Sequence, residues 1–142
     1  MIYENSDTLP RVLFAREAQA ADFEEIVKTG YWPAFDPRST VLLHRADGAA
    51  INRLPGEARL VTYGQNRIEI DAISASGGWV VLNDVWHPWW FAEVDGKPVA
   101  IEQANVLFRA VQVSGGRHRI TMTFEPLRGV LASLRTWRKR QR

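Results

Sequence analysis

The chain contains no cysteine. That excludes thiol catalysis, zinc-thiolate sites and disulfide frameworks, and it leaves the compartment open because secreted proteins need not use cysteine. It also lacks a long apolar run. The least charged stretch, Ala72 to Ala92, is interrupted by Ser74, Ser76, Gly77, Gly78, Asn83, Asp84, His87 and Pro88, whereas a membrane helix needs about 20 predominantly apolar residues. The opening MIYENSDTLPRV has early acids and no apolar core of a secretory signal. Acid is missing from one place only. Leu127 to Arg142 holds six basic residues and no Asp or Glu, while Met1 to Pro126 holds 12 basic and 16 acidic residues, a net of −4. The basic isoelectric point therefore belongs to the tail. An acidic body argues against nucleic acid as a partner, since such binders spread basic residues over a folded face.

Mechanistic motifs are equally scarce. There is no Walker loop, no Gly-rich dinucleotide turn, no HExxH, no GxSxG and no EF-hand loop. His44, His87 and His118 stand apart from one another, so the reading is no metal, no cofactor and no catalytic residue in the isolated domain. Asp84 and His87 sit at i, i+3, but Pro88 makes that segment a strand end rather than a helix. Asp84 reads first as a turn-stabilising carboxylate. The alternative is a small carbohydrate-active or metal-dependent hydrolase using Asp84 and His87.

What is present in quantity is ordinary apolar content, 46%, and six tryptophans. A chain of 142 residues buries about 70% of its unfolded surface, enough for one core. Arg11 to Glu17 reads as a short strand. Ala20 to Thr29 reads as a brief helix ending at Gly30, with Phe23, Ile26 and Val27 on one face. Thr40 to His44 is a strand after the loop YWPAFDPRST, and Arg45 to Glu57 is a second loop. From Ala58 the apolar period is two: Ala58 to Tyr63 and Ile68 to Ala72 form a hairpin around Gly64 to Asn66, and Gly78 to Asn83 is a strand covered on both faces. Asp95-Gly96 and Gly115-Gly116 each read as the turn of a further hairpin. The pattern predicts an all-β fold, an antiparallel β-sandwich of jelly-roll or immunoglobulin-like type over residues 1–126, with the short N-terminal helix added to it.

Residues 127–142 read as a basic amphipathic helix. Leu127, Val130, Leu131, Leu134 and Trp137 form the apolar stripe. Arg128, Arg135, Trp137, Arg138, Lys139, Arg140 and Arg142 are candidate contacts to an anionic membrane surface; the other reading is a helix docked on the sandwich. A second candidate lies in Asn83 to Asp95. Strand alternation puts Trp90 inward and Trp89 outward beside Phe91, near Glu93 and Asp95, with Trp86 across the Pro88 bend. An apolar ring beside carboxylates suits a sugar, so Trp86, Trp89, Phe91, Glu93 and Asp95 are candidate glycan contacts. The competing outcome is that a loop, or the N-terminal helix through Phe23 and Ile26, covers them.

Read in order, YENSDTLPRV, FDPRSTVLL, VVLNDVWHPWWFAEVDGKPVAI, ANVLFRAVQV and GGRHRITMTFEP resemble the extracytoplasmic C-terminal domain of YfhO-type bacterial membrane proteins, over nearly all of Tyr3 to Pro126. The positions that match are Asp84, Pro88, Trp90, Asp95, Gly96, Asn105, Phe108, Arg109, Gly116, His118 and Pro126. Trp89 stands where the family commonly has glycine. The resemblance implies a non-catalytic accessory domain of an envelope glycosyltransferase-like membrane protein, on the extracytoplasmic face of the bacterial membrane, with a glycan or polyprenyl-linked sugar as partner. The catalytic acid of such a transferase would lie in the membrane part.

Overall fold

The computed structural model describes residues 8–46 and 54–140. Much of the loop expected at Arg45 to Glu57, and Arg142 of the tail, lie outside them. In chain order the elements are β1 (Val12–Ala15), β2 (Glu17–Ala20), α1 (Phe23–Thr29), β3 (Thr40–Leu43), β4 (Gly56–Tyr63), β5 (Arg67–Ser74), β6 (Gly78–Leu82), β7 (Trp90–Val94), β8 (Lys97–Val99), β9 (Glu102–Ala104), β10 (Phe108–Val113), β11 (Gly116–Phe124) and α2 (Pro126–Arg140). The protein is mostly β, in two sheets. One runs β1-β6-β10-β9-β3-β2 and the other β4-β5-β11-β7-β8. Neighbours are antiparallel except β2 and β3, which are parallel because α1 carries the chain between them.

Period-two alternation builds the main core. Ile68, Ile70 and Ala72 of β5, Ile120 and Met122 of β11 and Ala92 of β7 meet Val12, Phe14, Val80, Leu82, Val111 and Val113 of the other sheet. The six-stranded sheet has a second apolar face. Leu13, Ala15, Val41, Leu43, Val81, Ala104 and Ala110 are buried together there, with Leu9, Ala18 and Trp79 packed around them.

Connectivity explains that second core. β1 and β2 are opposite edges of one six-stranded sheet, yet only Arg16 separates them in sequence. A single residue spans under about 4 Å, so the sheet has to curl until its edges come together, and its concave face closes on Leu13, Val41, Val81 and Ala110. The expected strand Arg11 to Glu17 is accordingly two strands with a bend at Arg16. Helix α1 begins three residues later than expected, at Phe23. Asp22 caps it by accepting the Glu25 N–H at 3.1 Å, and Gly30 ends it with φ 71. Its Phe23 and Ile26 pack on Leu42 and Val106.

The hairpins β4–β5 and β7–β8 form where the glycines and register predict them. Asp95 and Gly96 both have positive φ, 52 and 80, as a two-residue primed turn requires. Gly115-Gly116 is different. β10 pairs with β6 and β9, whereas β11 pairs with β5 and β7, so the glycine pair carries the chain from one sheet to the other and is not a hairpin. Its composition reflects close backbone approach: a Cβ on Gly115 would stand 2.6 Å from the Ala75 carbonyl oxygen, and one on Gly77 2.6 Å from that of Val113.

Candidate functional site

Both ends of the two-sheet body carry polar or aromatic clusters. At one end the β6–β7 connection brings Asn83 to Trp89 beside the start of α2. Trp89 is half-buried. Its indole fills the notch over Gly129 of α2, where a Cβ would collide with the ring. His87 meets the same indole edge-on at 5.0 Å, and the His87 Nδ1 accepts the Trp89 backbone N–H at 3.1 Å. Phe91, two residues along β7, lies under the Arg128 guanidinium at 4.1 Å, and Arg128 also pairs with Glu125 at 3.0 Å. The element over Trp89 and Phe91 is therefore the C-terminal helix. The N-terminal helix, with Phe23 and Ile26 turned to Leu42 and Val106, is elsewhere.

The five candidate glycan residues do not converge. Phe91 and Glu93 share a shallow groove of about 230 Å³ with Glu125 and Arg128. Trp86 is half-buried in the connection, its N–H donated to the Leu107 carbonyl at 2.7 Å. Asp95 lies at the opposite end of β7, about 17 Å from Trp90 at a strand rise of about 3.3 Å per residue.

Helix α2 touches the body mainly through Gly129, its one buried residue. Leu127, Val130, Leu131, Leu134 and Trp137 stay exposed, at 82%, 43%, 58%, 57% and 62%. Arg135, Arg138, Lys139 and Arg140 have no carboxylate partner among the described residues. No helix among the described residues is long and apolar enough to cross a membrane.

Asp84 and His87 turn to different partners. Asp84 accepts from Arg11 Nη1 at 2.9 Å and from the Tyr63 hydroxyl at 2.7 Å, and Arg109 Nη2 stands 3.5 Å away. Arg109 is only 3% exposed. It stacks on Trp90 at 4.1 Å, while its Nε and Nη1 have no partner among the described residues. Burial pulls its pKa below the usual arginine value, and Asp84 opposes that. The Asp84 hydrogen bond raises the Tyr63 pKa above its ordinary value. This is a buried arginine paired with a half-buried carboxylate under a polar cap, and it ties the β6–β7 connection to the residue before β1, to β4 and to β10. Among the described residues no group of three His, Asp or Glu side chains is placed to hold a metal.

The other end carries an arrangement that sequence spacing hides. His118 Nδ1 lies 2.6 Å from Asp95 Oδ2, and His118 Nε2 lies 3.2 Å from Ser114 Oγ and 3.1 Å from the Ser114 carbonyl oxygen. The Arg119 N–H donates to Asp95 Oδ1 at 2.8 Å. That backbone bond, then His118, holds the Asp95 carboxyl below the usual range, and the Asp95 hydrogen bond raises His118 above its ordinary value. Ser114 and His118 are four residues apart across the sheet crossing, and Asp95 arrives from the β7–β8 turn. Only the Ser114/His118 interval could have been noticed in the sequence; 23 residues separate His118 from Asp95.

Comparison with family models finds none that matches the chain, and neither a curated protein nor a solved structure matches it.

Proposed function

We propose that the chain is a membrane-surface accessory domain: the extracytoplasmic β-sandwich, with no part in glycosyl transfer itself, of an envelope glycosyltransferase-like membrane protein of the YfhO type, seated on anionic lipid by α2. The ordered sequence resemblance supports the family half of this reading. Chain crossings between the sheets at β3–β4, β5–β6, β6–β7, β8–β9 and β10–β11 are in keeping with a jelly-roll or immunoglobulin-like sandwich. The observation that carries the membrane half is the open apolar stripe of α2, flanked by Arg135, Arg138, Lys139 and Arg140, which have no carboxylate partner among the described residues.

An exposed Leu-Val-Leu-Leu-Trp stripe in water is costly, and an interface takes it up. Basic residues add about 1 kcal/mol each near an anionic leaflet, and tryptophan suits the headgroup depth. The same end of the body exposes Val85 and Leu107, at 68% and 58%, on the two loops joined by the Trp86–Leu107 hydrogen bond. A glycan or polyprenyl-linked sugar belongs to the proposal in reduced form. Trp89 and Phe91 both lie under α2, so the open residue is Glu93, on the groove it shares with the edge of Phe91, Glu125 and Arg128.

The test is co-sedimentation of the full chain with phosphatidylglycerol and with phosphatidylcholine vesicles. Binding to the anionic vesicles alone is expected, released as salt shortens the Debye length and lost in a Leu131→Glu, Leu134→Glu variant. Both leucines are exposed, so the variant keeps its fold. Equal sedimentation of the variant would remove α2 from the membrane role.

A further inference from the structure

We propose that Ser114, His118 and Asp95 form a nucleophilic relay that accepts the acyl group of an anionic carboxylic ester at the end of the domain remote from α2. The three parts of such a relay are a hydroxyl, a base in contact with it and a group that orients the base. All three are present. Asp95 is fixed by the Arg119 N–H at 2.8 Å and takes the Nδ1–H of His118 at 2.6 Å. With Nδ1 protonated, Nε2 of a neutral imidazole is an acceptor, and the Ser114 hydroxyl at 3.2 Å is positioned to donate to it. Ser114 is exposed. Gly116, two residues on, has φ 117 and no side chain, and even a Cβ there would be 3.8 Å from Nε2, so nothing at that position shields the imidazole.

Substrate charge follows from the adjoining cleft. His118 and Asp95 line a depression of about 980 Å³ together with Arg38, Arg59, Arg117 and Arg119. Arg59 and Arg119 are shared with Asp71, whereas Arg38 and Arg117 have no carboxylate partner among the described residues. Two uncommitted guanidiniums in the cleft that His118 and Asp95 line favour an acyl group that carries its own negative charge.

The step balances without a cofactor. Ser114 Oγ attacks the ester carbonyl carbon as its proton passes to His118 Nε2; the carbon–oxygen bond of the ester breaks, and the alcohol leaves with that proton. Water then attacks the acyl-serine and gives one proton to Nε2; the acyl–Oγ bond breaks as that proton returns to Oγ, and the acid departs, losing its remaining proton to solvent as the carboxylate. Asp95 positions the imidazole and does not touch substrate.

The Ser114 carbonyl, 3.1 Å from the same Nε2, defines the inactive state. A protonated His118 donates to that carbonyl and cannot take the hydroxyl proton. The groups around it are Asp95 on the β7–β8 turn, Lys97 on β8, and Arg117 and Arg119 on its own strand. Asp95 raises the His118 pKa, so reactivity grows as pH rises past the ordinary histidine range. The proposal does not depend on the membrane reading.

The experiment treats the full chain with a fluorophosphonate probe, locates the adduct by peptide mass, and follows release of nitrophenol from mono-4-nitrophenyl succinate and from 4-nitrophenyl acetate. A single adduct on Ser114 is expected, forming at least about tenfold faster near pH 9 than near pH 6. Ser114→Ala should abolish it with an unchanged melting temperature, since the side chain is exposed. Asp95→Asn should slow it, and Arg117→Ala should reduce the preference for the succinate ester while labelling persists. No adduct on the unmodified protein, an adduct that survives Ser114→Ala, or a rate independent of pH would each overturn the relay and leave the three residues as a structural clamp.

Discussion

Glycine inside a helix costs about 1 kcal/mol relative to alanine, so Gly129→Ala would stabilise α2 if that helix stood free of the body. Contact with Trp89 reverses the expectation. The added methyl would lie within 2.7 Å of the indole Nε1 and closer still to the five-membered ring beside its attachment point. The base of the ring cannot swing aside as the tip of a lysine can. Trp89 is further enclosed by His87 at 5.0 Å and Phe124 at 6.1 Å. Overpacking of this kind costs about 1 to 3 kcal/mol, and releasing the indole would expose apolar surface at about 25 cal/mol per Å². A net loss of about 1 to 2 kcal/mol follows, a fall of about 3 to 8 °C in melting temperature for a chain of this size.

Two assays read it. Thermal unfolding gives the global sign. Tryptophan emission and limited trypsin cleavage within α2 give the local one: the substitution should shift emission to the red and speed cleavage at Arg135 and Arg138 as the helix lifts from the body. If Gly129→Ala instead raises the melting temperature and leaves emission and cleavage unchanged, Gly129 is an ordinary exposed glycine and α2 has no seat on Trp89. The membrane reading would then lose the contact that fixes the helix to the domain.

Asp84→Ala should cost about 3 to 5 kcal/mol in urea unfolding, because it leaves the nearly buried Arg109 charge without its anion; adding Arg109→Met should recover much of that loss, and a double variant no better than Asp84→Ala would refute the pairing. Stability should also depend on pH through the Asp95–His118 bond. The folded His118 pKa is raised, so its contribution is complete below about 6.5, the ordinary histidine value, and is lost as pH rises through the folded value. Asp95, held low, contributes above its ordinary value of about 3.9 and is lost on acidification. The melting-temperature gap between the unmodified protein and Asp95→Asn should therefore be wider at pH 5 to 6 than at pH 9, and a constant gap would refute the coupling.

Local pattern made some of this legible in the sequence. β5 was readable because Ile68, Ile70 and Ala72 alternate with charged residues, and β6 because a continuous apolar run fits a strand buried on both faces. The Asp95-Gly96 hairpin was readable because its two residues tolerate the positive φ that the turn demands. Gly115-Gly116 misleads for a physical reason. Glycine reports that backbone must bend or come close, and here it is the approach of the 75–77 turn that requires it, not the pairing of the flanking strands. The Arg16 bend left no signal, since which edge strand comes next is a property of the whole sheet. The relay was illegible because Asp95 reaches His118 only through the β7–β11 register, Val94 against Ile120. The Asp84–Arg109 pair was hidden likewise, and the open stripe of α2 could be written down from spacing while its failure to dock could not.

The separation of the two ends gives their charges a joint meaning. Met1 to Pro126 carries a net −4 and Leu127 to Arg142 carries six cations and no acid, so an anionic lipid surface attracts one part of the chain and repels the other. An attractive helix fastened to a repelled body turns the body until its acids stand as far from the lipid as the fastening allows. Trp89 and Gly129 put that fastening beside the exposed Val85 and Leu107, which keeps this end down. Five residues along β7, about 17 Å at the strand rise, the turn bearing Asp95 is beyond a Debye length of about 8 Å at physiological salt. His118 there is set by Asp95 and the backbone of Ser114 and Gly115, out of reach of a lipid surface at the other end. The proposed relay and the proposed lipid contact should thus respond one at a time, the contact to salt and the relay to pH.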